Sequence, residues 1–389
     1  MKIKNKYSLL FAFAVLFIAL GCGRYYLGSA RAAATEAIFG AEKGYFNAVR
    51  AFKEKVDDLG KTLRYHDTLL DINSIKENLL GTRLIIKPDT TVVKADNDML
   101  LWGEAFQSND RSILNAVDKI EKYQQAALKN DAKFLYCKAP IKQLYGGNPE
   151  NTANFAEENQ EKLFKELKRR EIPCISFYEE FNRLGLNAED VFFYTDHHWK
   201  PSAGFTAAGI VCEELNRRYG FTYDPEMTDI SNYRITTHPD FFLGSLGKKS
   251  GTYFTWRGAD DFDVIMPAFK TDFTEELPYS DEIRTGSFED TLLHMDYLHN
   301  DHYLAMVYSV YCGGDHRLQI IKNNLNPGGA KILLIRDSFS CVAAPFIAPQ
   351  MGEIHIVDDR EGDYPKGEIV NIEEYAEKER FDYIIVIKQ

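Results

Sequence analysis

Short strands in which almost every residue is apolar, separated by stretches of helical period, constrain this chain more than any other feature. Strands are expected over 132–137, 174–177, 332–335, 354–357 and 383–387, and helices over 113–128, 157–169, 201–219, 339–347 and 372–378. Within 113–128, Ile113, Val117, Ile120 and Tyr123 fall on one side of a helix. Pro201 opens the helix over 201–219 and Gly220 stops it. A strand that alternates polar and apolar residues keeps one face wet, whereas one apolar throughout is covered on both faces. Strands of the second kind alternating with helices imply an α/β fold, a parallel sheet between two helical layers.

Residues 221–300 break this rhythm. They are rich in Gly, Asp and aromatics, as in Phe241-Phe242-Leu243-Gly244 and Asp260-Asp261-Phe262-Asp263. They read as an irregular insertion with short strands that forms a wall of the site. Residues 61–110 are mixed, with strand-like pieces at 84–86 and 91–93. Residues 31–60 read as a helix, with Ile38, Tyr45, Val49 and Phe52 near helical spacing. The expected division is a leading segment 1–30, a helical and mixed region 31–109, and an α/β domain 110–389 carrying the insertion at about 221–300. At 389 residues the chain can bury a full core.

Lys2, Lys4 and Lys6 precede an apolar run over 9–20, the basic and apolar regions of an export signal. The run is short for a transmembrane helix. Three fates stay open: cleavage near Ala30-Arg31-Ala32, lipidation at Ala19-Leu20-Gly21-Cys22, or retention of 7–23 as a membrane anchor. All three place the rest of the chain outside the cytoplasm. A net charge of -12 disfavours nucleic acid or an anionic membrane surface as a partner. Without Cys22 an odd set of cysteines remains, Cys137, Cys174, Cys212, Cys312 and Cys341, with no Cys-x-x-Cys pair. Buried free thiols are expected rather than a disulfide framework or a zinc knuckle.

The chemistry concentrates in two stretches. Arg336-Asp337-Ser338 follows the apolar strand 332–335 and precedes a helical pattern. A residue there sits where open α/β sheets hold their ligands, beside outward backbone N–H groups and a helix dipole. Asp337 and Ser338 are also good helix caps, and position alone does not separate the two roles. The second stretch is Thr195-Asp196-His197-His198-Trp199. In an extended segment Asp196 and His198 share a side while His197 faces away. His198 is then a base, Asp196 its orienting acid and Ser338 the nucleophile, the parts of an acyl-transfer site. His197 is expected to hydrogen-bond within the scaffold and Trp199 to pack. Gly313-Gly314-Asp315-His316 reads as a turn shaping the site, and Arg360 and Lys142 as rim residues able to bind substrate or lie in solvent.

Thr195-Asp196-His197-His198-Trp199 resembles the signature of the bacterial DHHW proteins. The wider match takes in Pro140-Ile141-Lys142, Gly244-Ser245-Leu246-Gly247-Lys248-Lys249, Gly313-Gly314-Asp315-His316 and Asp337-Ser338-Phe339. It is similar in turn to the extracytoplasmic alginate O-acetyltransferases of the SGNH hydrolase-like superfamily. The resemblance implies a three-layer α/β/α fold and acetyl transfer to, or removal from, a sugar hydroxyl. It also implies a carbohydrate substrate and, as a frequent companion, a membrane-bound O-acyltransferase that supplies the acyl group. Carried over by motif, Asp196 and His198 match the acid and base and Ser338 the nucleophile; Arg360, Lys142 and His316 are weaker substrate contacts. No cofactor and no metal is implied. The chain departs from the SGNH esterases in having Arg336 where a Gly-Asp-Ser turn has glycine. Its order, Asp and His before Ser, agrees with the alginate enzymes, and such triads occur in several chain orders.

Two other classes compete. A non-catalytic glycan-binding partner would keep the fold with Ser338 and His198 out of reach of each other. A metal-dependent phosphoesterase would use Asp-His-His as ligands, but it needs further Asp and His at strand ends, and no Asp-x-Asp companion lies upstream.

Overall fold

The computed structural model describes residues 65–87, 90–150, 152–360 and 370–389. The chain divides into two units, 1–73 and 74–389. Of the first, only residues 65–73 are described, and they open helix α1 (His66–Leu79). The expected export segment and the helix over 31–60 lie outside the described residues. No helix among the described residues is long and apolar enough to cross a membrane.

In the second unit, β1 (Leu84–Ile86), β2 (Thr91–Lys94) and β3 (Leu100–Trp102) form a small antiparallel sheet. Then come α2 (Asp110–Lys129), β4 (Lys133–Lys138), α3 (Ala156–Arg169), β5 (Cys174–Ser176), α4 (Phe177–Arg183), α5 (Ala188–Val191) and α6 (Pro201–Tyr219). An antiparallel ribbon follows, β6 (Tyr233–Phe242) and β7 (Asp260–Pro267), with α7 (Ser245–Ser250) between its strands. After it come β8 (Phe273–Leu277), β9 (Glu282–Gly286), α8 (Phe288–Leu292), β10 (Leu318–Asn323) and β11 (Lys331–Arg336). The chain closes with α9 (Ala344–Ile347), β12 (Glu353–Asp358), α10 (Ile372–Glu379) and β13 (Tyr383–Lys388).

The main sheet has eight strands in the order β5-β4-β13-β11-β12-β10-β8-β9. The five from β5 to β12 are parallel, as the apolar runs imply. Their side chains divide strictly by parity. Phe134, Tyr136, Leu333, Ile335, Ile384 and Val386 face a layer with α2, α3 and α10, whereas Leu135, Cys137, Ile332, Leu334, Ile385 and Ile387 face one with α4 and α6. Leu334 and Ile385 are fully buried, and each such side chain contributes about 1.5–3 kcal/mol by leaving water. The result is a three-layer α/β/α fold.

Two departures from the sequence reading matter for the site. Beyond β12 the sheet continues antiparallel through β10, β8 and β9, so the stretch 221–300 supplies sheet strands as well as loops. No α-helix begins at Ser338. A 3-10 turn, Ser338–Val342, leads to the four-residue α9, and Pro345 and Pro349 deny the run the amide donors that a longer helix needs.

Candidate active site

Ser338 stands at the C-terminal end of β11, which lies between β12 and β13 near the middle of the sheet. Asp337 caps the turn that follows, its Oδ1 accepting from Phe339 N–H at 3.0 Å. Capping therefore falls to Asp337 and leaves the Ser338 hydroxyl free for a different partner. Arg336, in the place of a glycine, is almost wholly buried. Its guanidinium donates to Gly314 O at 2.9 Å and to Asp315 Oδ1 at 2.5 Å, drawing the Gly313-Gly314 turn against the serine. Gly313 has φ 67°, and a Cβ there would lie 2.7 Å from His294 Cε1, so this turn requires glycine.

The histidine stretch is not extended. It is a tight loop closed by the bridge between Phe192 and Trp199. Asp260, at the start of β7, holds it from below, accepting from Tyr194 N–H at 2.6 Å, Thr195 N–H at 2.8 Å and the Thr195 hydroxyl at 2.5 Å. Because the loop bends, His197 does not face away from His198. Their rings are 3.8 Å apart, which corrects the side-alternation argument. His197 hydrogen-bonds Ser245 Oγ at 3.0 Å and meets Trp102 edge-on, the scaffold role expected of it. Burial pulls its pKa down to about 4, which keeps it neutral.

Asp196 is buried and fully engaged. Oδ1 accepts from His198 N–H at 2.8 Å and from the His198 ring Nδ1 at 2.6 Å, and Oδ2 accepts from Ser245 N–H at 2.5 Å. Gly244 makes this approach possible, since a Cβ on it would sit 2.2 Å from Asp196 Cβ. Burial alone would raise the Asp196 carboxyl, but the two imidazoles and the His198 amide outweigh it and hold the group well below its ordinary value. An ionised carboxylate only accepts, so His198 Nδ1 carries the proton and Nε2 is left as an acceptor. His198 Nε2 lies 2.7 Å from Ser338 Oγ. The chain carboxylate, imidazole, hydroxyl is continuous, with bond lengths suited to proton transfer.

Asp196, His198 and Ser338 open into a cavity of about 450 Å³. Phe242, Leu243, Ser245, Lys248 and Tyr297 line it, together with Ala305, Met306, Tyr308, Ser309 and residues 313–316. His316 is therefore in the site. Cys341 also lines the cavity, but burial pushes its thiol up to about 12, so it offers no competing nucleophile. Asp315 marks the rim; burial opposes its ionisation, yet Arg336 and Arg360 hold it at about 2. Arg360 does not line the cavity, and its guanidinium pairs with Asp315 at 2.7 Å and with Asp358. Lys142 is also elsewhere. It is buried, donates to Leu100 O at 2.8 Å and Tyr194 O at 3.3 Å, and borders a separate hollow behind His197. A roomier hollow of about 550 Å³ lies on α2 among Asp118, Glu121, Lys122 and Lys129, with no serine, threonine or cysteine in its lining.

Asp196, His197 and His198 also bring three ligand-type atoms within 4.8 Å of one another. The Asp196 oxygens and both ring nitrogens of His198 already carry the hydrogen bonds described, so a cation held there would have to displace at least one of them. Sequence reasoning missed Asp260 and Tyr308. The ring of Tyr308 lies on His198 with centroids 4.4 Å apart and planes at 19°.

Sheet and site together define a class: α/β proteins with a serine at the end of a central parallel strand, hydrogen-bonded to a histidine from a separate loop. Within it, the chain is similar to Bacillus cereus PatB1, solved with a sulfonyl adduct, at a TM-score of 0.63 and 17% identity over 78% of this chain and 96% of that one. It is also similar to a DHHW family protein from Eubacterium siraeum, at a TM-score of 0.55 and 15% identity over 78% and 92% of the two chains. No family model and no curated protein matches the sequence. The resemblance to the DHHW proteins read from Thr195–Trp199 thus recurs in the fold.

Proposed function

We propose that this protein is a serine-dependent O-acyltransferase or esterase, acting on acetyl groups of a cell-surface or exported polysaccharide. The observation that carries the reading is the 2.7 Å contact between Ser338 Oγ and His198 Nε2, with Asp196 at 2.6 Å behind it. Ser338 attacks the acyl carbon, His198 takes its proton, and Asp196 stabilises the imidazolium that results. The acyl group then passes to water or to a sugar hydroxyl. A non-catalytic partner would have these atoms out of reach, so their contact favours the enzyme. The sugar comes from the DHHW resemblance, and the open cavity bordered by Lys248, Asp315, His316 and tyrosines suits a hydroxyl-rich substrate. The basic and apolar residues of 1–20 support an extracytoplasmic setting, with a membrane-bound O-acyltransferase as acyl donor.

The test is hydrolysis of an acetyl-ester reporter such as 4-nitrophenyl acetate. Ser338→Ala abolishes it and leaves the circular dichroism spectrum unchanged. Since the PatB1 structure carries a sulfonyl adduct, a sulfonyl fluoride is the matching probe, and it should label the wild type at Ser338. Full reporter activity in Ser338→Ala would rule the mechanism out.

A further inference from the structure

The relay leaves one demand unmet. When Ser338 Oγ bonds to an acyl carbon, the carbonyl π pair moves onto oxygen, and that anion needs a hydrogen-bond donor. Backbone N–H groups just past a nucleophilic serine often serve. Here two of them are occupied: Phe339 N–H donates to Asp337 Oδ1 at 3.0 Å, and Ser340 N–H to the Asp337 carbonyl at 3.2 Å. The short 3-10 turn at Ser338 brings no long helix whose dipole would compensate.

Tyr308 shares the cavity with Ser338, and its ring lies flat on the histidine that serves that serine. Its hydroxyl is buried and has no hydrogen-bond partner. Buried hydroxyls are nearly always paired, so one left open on a side chain that lines the same cavity as Ser338 points to a partner that arrives with the substrate. Burial raises the phenol well above its ordinary value, so the group keeps its proton and can donate.

We propose that Tyr308 is a catalytic residue whose phenol O–H donates to the oxyanion formed on the acyl group at Ser338. The inference rests on the acyl-transfer reading above and adds a donor to it. Oγ bonds to the acyl carbon as its proton passes to His198 Nε2, and the displaced π pair rests on oxygen against the Tyr308 hydroxyl. The pair then returns to re-form the carbonyl, the bond to the leaving alkoxide breaks, and His198 returns the proton to that alkoxide. Meanwhile the Tyr308 ring lies against the imidazolium, a favourable stack that a phenylalanine would retain.

Tyr308→Phe in the full chain isolates the hydroxyl. With the acetyl-ester reporter, kcat should fall about 100-fold. KM should stay within about threefold, and the unfolding temperature should hold or rise, because the deleted group makes no hydrogen bond in the free protein. The inference is overturned if Tyr308→Phe keeps kcat within about threefold of wild type while Ser338→Ala is inactive. It is equally overturned if only KM rises, or if kcat falls no further than a matching loss of folded protein explains. Reporter activity equal in wild type and Ser338→Ala would instead sink the acyl-transfer reading itself.

Discussion

The indole N–H of Trp199 donates to the backbone carbonyl of Phe339 at 2.7 Å. One residue before Trp199 is His198, the proposed base, and one residue before Phe339 is Ser338, the proposed nucleophile. This buried hydrogen bond fastens the two halves of the site together behind the His198–Ser338 contact, 140 positions apart in the chain. Trp199 is fully buried against Phe177 and Phe181, so the anchor is rigid.

Trp199→Phe keeps an aromatic ring in that packing but leaves the Phe339 carbonyl unpaired in the core. The expected cost is about 1–3 kcal/mol. The unfolding temperature should drop by several degrees, and kcat on the acetyl-ester reporter should fall with it, because Ser338 loses its fixed distance from His198. Unaltered kcat in a destabilised variant would show that the alignment does not depend on this bond.

Asp196 fixes which ring nitrogen of His198 carries the proton. Asp196→Asn is nearly isosteric, yet its amide can present N–H to the ring and reverse the tautomer, leaving Ser338 without an acceptor. The expected loss is about 10⁴-fold in kcat, with the fold retained. A loss below about tenfold would mean that His198 holds its tautomer by other means.

Gly244 packs its backbone on Asp196 where no side chain fits. Gly244→Ala must push the loop or α7 aside, since the contact is with main chain and Cβ rather than a flexible tip. The Ser245 N–H bond to Asp196 Oδ2 would stretch or break. We expect reporter activity to fall by at least tenfold and the unfolding temperature to drop. Wild-type behaviour in both assays would show that the loop yields easily.

Much of this was legible in the chain because local pattern and tertiary role agree there. Strands such as Lys331–Arg336 are apolar on both faces, so their burial between two layers could be read directly. The end of such a strand is also the place to look for a nucleophile. The antiparallel extension was not readable in the same way. Leu318–Asn323 buries Gln319 and Asn323 beside its apolar residues, and Glu282–Gly286 is largely exposed, so neither has the composition of a core strand. The bend at Thr195–His198 depends on Asp260, 65 residues away, and an extended reading of that motif had no means of including it. Tyr308 carried no signal, because its meaning lies in an unpaired hydroxyl that only the packed structure reveals.

Lys142 lends itself to a pH experiment. Its ammonium is buried beneath the histidine loop, and burial lowers its pKa from 10.5 to about 7 against the pull of Asp260 and Asp196. Between these two values the unfolded chain binds a proton that the folded chain does not. Stability contributed by this residue therefore rises with pH from about 7 to 10.5; below that window both states are protonated and the full penalty of burying the charge stands. The slope for one such group approaches about 1.4 kcal/mol per pH unit. Lys142→Met removes the titration together with the bonds to Leu100 O and Tyr194 O. Denaturant unfolding of both proteins at pH 7 and pH 9.5 cancels every other titrating group in the difference. The wild type should gain on the variant as pH rises, and a difference that stays flat would show that the Lys142 ammonium keeps its proton in the fold.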